Sequence, residues 1–187
     1  MIIDVHSCGH PEHKGRIGYA AGAFDLFHVG HLNLLRHAKD HCDYLIAGVV
    51  SDEMLKLHKG ITPVVPLAER LEIVRSIRFV DQAVAAALPD KFDVWQELRF
   101  DVLFKGDDWR GTEKGRHLES EFGPVGVQIV YFPYSPTTSS TVLRKALANI
   151  DCLAQRNNAS SNRPDSALLD PAFPLENLES LLCEVWP

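Results

Sequence analysis

From Arg16 onward, short apolar runs alternate with stretches whose apolar residues recur at helical spacing. Ile17 to Ala23 reads as a strand and Val29 to Asp40 as a helix. Tyr44 to Val50 is a nearly continuous apolar run, the pattern of a strand buried on both faces. Ser51-Asp52-Glu53 follows as a helix start with Ser51 at the N-cap. A polar loop containing Pro63 and Pro66 leads into Leu67–Ile77, where Leu67, Leu71, Val74 and Ile77 share one helical stripe. Phe79–Ala86, Val102–Lys105 and Val125–Phe132 are further strands, Asp93–Phe100 is a helix, and Thr138–Ala148 is the closing helix. Strand-then-helix alternation implies a parallel sheet covered on both faces. Right-handed crossovers then give an α/β, Rossmann-like doubly wound sheet of about five strands.

The pattern also divides the chain. Residues 1–15 read as an N-terminal arm, 16–150 as the domain, and 151–187 as a linker and short C-terminal tail. Asn157 to Asp165, rich in Asn and Ser, has linker character, and Leu175–Trp186 is apolar enough for a short docking helix.

Composition narrows the function classes. The chain has 187 residues, 45% hydrophobic and 24% charged, in the globular range. It contains no apolar run of about 18 residues, so no membrane span is expected. The start Met1-Ile2-Ile3-Asp4-Val5-His6 lacks a signal-peptide pattern, so a cytoplasmic setting is expected. A net charge of −6 argues against a nucleic-acid surface. Cys8, Cys42, Cys152 and Cys183 have no CxxC spacing and read as free thiols. His6, Cys8, His10 and His13 fall short of the paired cysteines typical of structural zinc, so no metal ligands are assigned to the protein.

In a doubly wound sheet, ligands sit beyond the carboxyl ends of the strands where strand order reverses. The first strand ends in Gly22-Ala23-Phe24-Asp25-Leu26-Phe27-His28-Val29-Gly30-His31. Gly22 allows close backbone approach, and Gly30 lets a bulky anion lie against the helix. His28 and His31 project to the same side of the first helical turn, beside free backbone N–H groups and the positive dipole end. Two imidazoles there can donate to developing phosphoryl charge. Polar surface is the plain alternative. A metal site from His37 and His41 is set aside, because that pair lies about 240° around the helix from His31 at about 100° per residue.

The Gly22–His31 segment resembles the HxGH signature of the cytidylyltransferase-like nucleotidyltransferases. The likeness runs from about Arg16 to Ala148 and has further anchors. Ser51-Asp52-Glu53 resembles the family's S-x-D/E stretch. Leu67-Ala68-Glu69-Arg70 with Ile77-Arg78-Phe79-Val80-Asp81 is similar to E-x-R…I-R-x-V-D. Phe104-Lys105-Gly106-Asp107-Asp108-Trp109 resembles the GDDW motif of the branch acting on glycerol 3-phosphate. The resemblance implies that His28 and His31 stabilise the transition state at the α-phosphorus. It further implies that Lys59, in a mobile loop before the third helix, clamps phosphates, and that Arg70 and Arg78 supply charge. Ala23, Phe24, Gly30 and Asp107 would line the nucleotide, with Asp25 orienting the loop or the acceptor. Ser139, Ser140 and Thr141, at a helix start, would cradle phosphate, although capping alone also explains them.

The family's R-T-E-G-I-S-T is altered here to Tyr134-Ser-Pro-Thr137-Thr-Ser-Ser140-Thr141, and the threonine of G-T-F-D is Ala23. Arg144 or Arg110 are candidates to replace the lost charge. The implied reaction transfers CMP from CTP to a small phosphate monoester, glycerol 3-phosphate first, releasing pyrophosphate. Mg²⁺ would arrive on the triphosphate, and the protein would be a homodimer. The alternatives are an adenylyltransferase acting on a sugar phosphate or other phosphate or phosphonate acceptor, and a nucleotide-binding regulator with weak turnover.

Overall fold

A computed structural model describes residues 15–133 and 138–161, with backbone alone for 151–161. Five strands form one parallel sheet: β1 Ile17–Gly22, β2 Tyr44–Val50, β3 Gln82–Ala86, β4 Val102–Gly106 and β5 Gln128–Phe132. Their order is β3-β2-β1-β4-β5. The chain winds outward from β1 through β2 to β3, then returns to the other side of β1 for β4. The order therefore reverses between β1 and β4, where such sheets open a crevice at the carboxyl ends.

Among the described residues six helices accompany the strands: α1 Val29–Lys39, α2 Asp52–Lys59, α3 Leu67–Arg75, α4 Lys91–Leu98, α5 Glu113–Phe122 and α6 Ser140–Ser161. One core cluster joins Leu35 and Ala38 of α1 and Leu71 and Val74 of α3 to Ala47, Val49, Val102 and Phe104 of the sheet. The other joins Val94 and Leu98 of α4 and Leu118 and Phe122 of α5 to Tyr19, Ile46 and Leu103. Neighbouring strand residues feed opposite clusters, as alternation across a pleated strand requires. Tyr19 is buried and stacks on Phe100 with ring centres 5.0 Å apart. Burial holds its phenol well above the ordinary range.

The largest departures from the sequence pattern have local causes. The expected strand from Val125 starts at Gln128, because Gly123–Val125 forms a 3₁₀ turn and Gly126 takes a left-handed φ of 78°. The strand expected from Phe79 starts at Gln82, after a turn closed by the Val80 N–H donating to the Ile77 carbonyl. Helix α4 begins two residues early because the Asp90 carboxylate caps it by accepting from Phe92 N at 2.6 Å. Helix α5 was not anticipated: its sequence is mostly polar and carries Gly115, which costs about 1 kcal/mol in a helix. A β-carbon at Gly115 would meet the Trp109 carbonyl oxygen at 2.1 Å, so close packing explains the glycine.

The linker expected from Asn157 is helical through Ser161, and residues 162–165 lie outside the described residues. The first compact unit ends at Leu147 and the second begins at Ala148, so the division falls inside α6. The N-terminal His6–His13 segment and the C-terminal Leu175–Trp186 segment also lie outside the described residues. No helix among the described residues is long and apolar enough to cross a membrane. Cys42 is a free, half-buried thiol whose pKa burial pushes up to about 11.

Gly48 tests the packing between β1 and β2. A β-carbon there would lie 2.2 Å from the Tyr19 hydroxyl oxygen. Gly48→Ala should destabilise the fold by about 1–3 kcal/mol through overpacking in urea unfolding. Gly123→Ala, with nothing within 4 Å of its β-carbon, should leave the urea midpoint nearly unchanged.

Candidate functional site

The loop after β1 carries the two histidines. His28 is the N-cap of α1, in an extended conformation (φ −144°, ψ 174°), and its Nδ1 accepts from Gly30 N at 3.0 Å. It thus satisfies one of the N–H groups that a helix start leaves unpaired. A β-carbon on Gly30 would meet His28 Cε1 at 2.8 Å. The glycine therefore makes room for the capping imidazole, which corrects the expectation that its space is kept for an anion. One turn on, the His31 ring stacks on His28 with centres 4.0 Å apart and planes 28° from parallel. Phe24 and Phe27 each pack against His31 at 5.5 Å.

Burial lowers both imidazoles. His28 falls below its ordinary value, and His31 drops to about 4 through burial and the neighbouring His28, partly opposed by Asp25. Both rings are therefore neutral at pH 7, which lets them stack without like-charge repulsion. Among the described residues, His31 Nδ1 is the buried side-chain polar atom without a hydrogen-bond partner. Leaving such an atom unmatched costs about 1–3 kcal/mol, and substrate-binding centres are where that cost is tolerated.

Asp25, expected near the acceptor, is fully buried. Its carboxylate accepts from Val64 N at 3.1 Å, Val65 N at 2.9 Å, and Arg144 Nε and Nη2 at 3.2 and 2.5 Å. Burial alone would raise its pKa, but the Val65, Arg144 and Val64 hydrogen bonds prevail and hold it below the usual carboxylate range. Arg144, considered as a replacement charge for the nucleotide, is thus committed to Asp25. Ser140 begins α6; its hydroxyl donates to the Asp25 carbonyl at 2.9 Å and lies 3.4 Å from His28 Nε2. Ser139 Oγ accepts from Val142 N at 3.3 Å as a helix cap, and Thr141 is exposed. Sequence signatures about 110 residues apart, 112 between His28 and Ser140, meet at this point. Phe24 and Leu26 hold left-handed φ values of 51° and 49°, sparsely populated for such side chains. Phe24 is itself buried, so its ring supports His31 and does not line an open surface.

Arg70 departs furthest from expectation. It is fully buried, and its guanidinium donates to the carbonyls of Val65 at 2.8 Å, Val50 at 2.9 Å and Ala23, and to the Asp52 carboxylate. It does not face a solvent-borne phosphate. It ties the ends of β1 and β2 to the starts of α2 and α3, and Ala23 enters the site through this carbonyl.

The remaining candidates do not share one edge of the sheet. Lys59 is the exposed last residue of α2, not a residue of the loop beyond it. Arg78 is exposed on the turn between α3 and β3, at the amino end of the parallel strands, where the nearby Asp81 N–H donates to the Leu45 carbonyl. The fold therefore places it at the edge opposite the histidine loop, against the expectation that it supplies charge to the phosphates. Asp107 begins an exposed 3₁₀ turn after β4 and pairs with Arg110 at 3.2 Å, so Arg110 is also engaged. Arg110 further packs 5.2 Å from the Tyr131 ring centre. Among the described residues no hydrogen bond or ion pair joins Lys59, Arg78 or Asp107 to the histidine pair. Tyr134 and Thr137 of the altered motif lie outside the described residues. His37 and His41 pack against Phe132 at the far end of α1, away from any metal role with His31.

Lys105 was missed. It is buried at the end of β4, and burial with the charges of Lys91 and Lys59 pushes its ammonium down to about 7. The available signal was a lysine closing the otherwise apolar strand Val102-Leu-Phe-Lys105.

Two measurements test this geometry. Arg70→Lys keeps the charge but cannot serve four acceptors, so it should lose about 3–5 kcal/mol in urea unfolding, as when a buried pair is broken. For His31 the folded pKa is depressed, so between about 6.5 and about 4 the unfolded chain binds the extra proton. Stability should fall as pH drops through that window, and Asp25, also depressed, adds a loss at the acid end. His31→Gln should flatten the dependence of Tm on pH between those values; an unchanged slope would place the titration elsewhere.

A family model described as cytidylyltransferase-like matches residues 19–163. The bifunctional protein HldE of Acidiphilium cryptum is 38% identical over 132 residues, 69% of this chain and 27% of that protein. Ethanolamine-phosphate cytidylyltransferase of Arabidopsis thaliana is 31% identical over 171 residues, 83% of this chain and 38% of that one. FAD synthase of Pyrococcus abyssi is 34% identical over 60% of this chain and 77% of its own. The chain thus spans well under half the length of the first two relatives. In fold, it resembles a lipopolysaccharide core biosynthesis protein of Thermoplasma volcanium (TM-score 0.55, 23% identity), covering 65% of this chain and 97% of that one. With the histidine pair at the end of β1 and the strand reversal beside it, this chain belongs to the cytidylyltransferase-like nucleotidyltransferase family.

Proposed function

We propose that this protein transfers CMP from CTP to a small phosphate monoester, with glycerol 3-phosphate the first acceptor to test. The observation that carries the reading is the stacked His28–His31 pair at the N-terminus of α1, joined by Ser140 of α6. Neutral imidazole N–H groups, backbone N–H groups and the helix dipole are suited to stabilise negative charge developing at a phosphorus. The acceptor needs no general base, since a phosphate monoester has a second pKa of about 6 and is largely dianionic at pH 7. One of its oxygens would bond to the α-phosphorus of CTP as the bond to the β-phosphate oxygen breaks, and pyrophosphate would leave with that electron pair.

In this reading His28 and His31 act on the reacting phosphate. Lys59, which is exposed, would add charge from the surrounding edge, Arg78 at the amino end of β3 takes no part, and Arg70 and Asp25 are positioning residues that hold the loop. Ser139, Ser140, Thr141 and Asp107 would lie along the nucleotide. Mg²⁺ would come with the triphosphate, whose oxygens supply most of the ligands such an ion takes. The homodimer and the cytoplasmic setting belong to this proposal.

The name of the Arabidopsis relative pairs a cytidylyl group with a phosphorylated amino alcohol, which favours CTP and a small monoester. The FAD synthase likeness favours a second reading, adenylyl transfer, because FAD contains an adenine nucleotide. Incubating the protein with CTP, ATP, GTP or UTP and a panel of glycerol 3-phosphate, ethanolamine phosphate and sugar phosphates separates the two. Pyrophosphate should appear with CTP, and release with ATP alone would overturn the cytidylyl reading. His28→Ala and His31→Ala should each lower kcat by about 10²–10³, as for loss of an oxyanion donor. Near-normal rates in both would remove the histidines from the chemistry.

A further inference from the structure

Two lysine ammonium groups meet at the carboxyl end of β4. Lys105 is 7% exposed and lies two residues beyond Leu103, so it points to the face that β4 shares with α4 and α5. Lys91 opens α4, and its ammonium stands over the same indole ring as that of Lys105. Their Nζ atoms stand 5.5 Å (Lys91) and 4.5 Å (Lys105) from the Trp109 ring centre. Among the described residues, the ion pairs within 4.0 Å join Lys39, Arg70, Arg110 and Arg144 to carboxylates, and neither Lys91 nor Lys105 is among them.

An ammonium so deeply buried with no carboxylate in direct ion-pair contact among the described residues is costly, and a second beside it adds repulsion. The aromatic face offsets part of this. A dianion between the two nitrogens would remove the rest. The location fits such a ligand. Phe104 is in register with Ala20, which puts Lys105 beside the last residues of β1, at the point where strand order reverses. The histidine pair sits on the loop leaving that same strand.

We propose that Lys105 and Lys91, backed by Trp109 and with Lys59 adding charge, form a binding subsite for a phosphate dianion. The transfer reading enters only in naming which phosphate fills it: the acceptor's monoester or the outer phosphates of the triphosphate. Lys105, pushed to about 7 by burial, Lys91 and Lys59 with Asp108 opposing, is partly uncharged in the free protein near neutrality. Lys91 is lowered by burial and Lys114, against Asp90 and Glu121. An arriving dianion restores the charge, and Lys105 takes the proton from solvent.

Sulfate is a clean probe because it stays dianionic through this range, so any proton taken up belongs to the protein. Calorimetric titration of the whole chain with sulfate at about pH 7.5, in two buffers of different ionisation heat, should show binding with net proton uptake. Lys105→Met, which suits the apolar strand, should abolish the uptake and weaken sulfate about ten-fold or more, the scale of one charge-assisted contact. Lys91→Met should weaken it similarly and remains informative if Lys105→Met folds poorly. Unchanged affinity in a folded variant, or sulfate binding to the wild type without proton uptake, overturns the subsite.

Competition by glycerol 3-phosphate or by pyrophosphate distinguishes the two sources. In the transfer assay, a KM rise in Lys105→Met for the acceptor or for CTP makes the same distinction. Lysine-dependent sulfate binding in a protein that transfers no nucleotide would leave the subsite standing and the transfer reading fallen. Transfer activity with lysine-independent sulfate binding would give the reverse.

Discussion

The guanidinium of Arg70 organises the site. A buried cation must have its donors matched, and here the matching groups are the carbonyls of Ala23, Val50 and Val65 and the carboxylate of Asp52. Those groups come from the end of β1, the end of β2, the loop before α3 and the first residue of α2. One side chain thus fixes the spacing of the loops that surround the candidate reaction centre. Asp25 plays the matching role with negative charge, joining the Val64–Val65 loop to Arg144 of α6. The two buried charges share no contact, yet both seize the segment around Val65, one through its N–H and the other through its carbonyl.

This division of labour separates charges that build the site from charges left to meet a ligand. Arg70, Asp25, Arg144 and Asp52 are engaged with each other or with the backbone. Lys59 is exposed, and Lys105 and Lys91 are buried or half-buried beside an aromatic ring. The family resemblance alone assigns arginines and lysines to phosphate in one group. Burial and hydrogen bonding divide them.

The fold was legible because its strands are apolar on both faces. Tyr44–Val50 matched its observed bounds, and Ser51 capped α2 by accepting from Met54 N at 3.2 Å. The site was legible wherever a local motif carried it, as at His28 and His31. It was not legible where a role depends on distant partners. Nothing near Asp25 in sequence reveals that residue 144 will ion-pair with it, and Arg70 on an amphipathic helix reads as a surface residue until its four acceptors are in place. Helix α5 was hidden by its polar composition, and Lys59, expected in the loop, closes α2 because the left-handed Gly60 ends that helix directly after it.

The capping bond of His28 has a consequence for proton placement. Because Gly30 N–H donates to Nδ1, that nitrogen presents its lone pair, and the neutral ring carries its hydrogen on Nε2. Nε2 faces Ser140, whose hydroxyl hydrogen is already given to the Asp25 carbonyl. The start of α1 therefore selects a single tautomer, and hydrogens run in one direction from imidazole to serine to backbone. A phosphate oxygen that displaces Ser140 from Nε2 would meet an N–H already pointing outward, with no proton to rearrange before the bond is made.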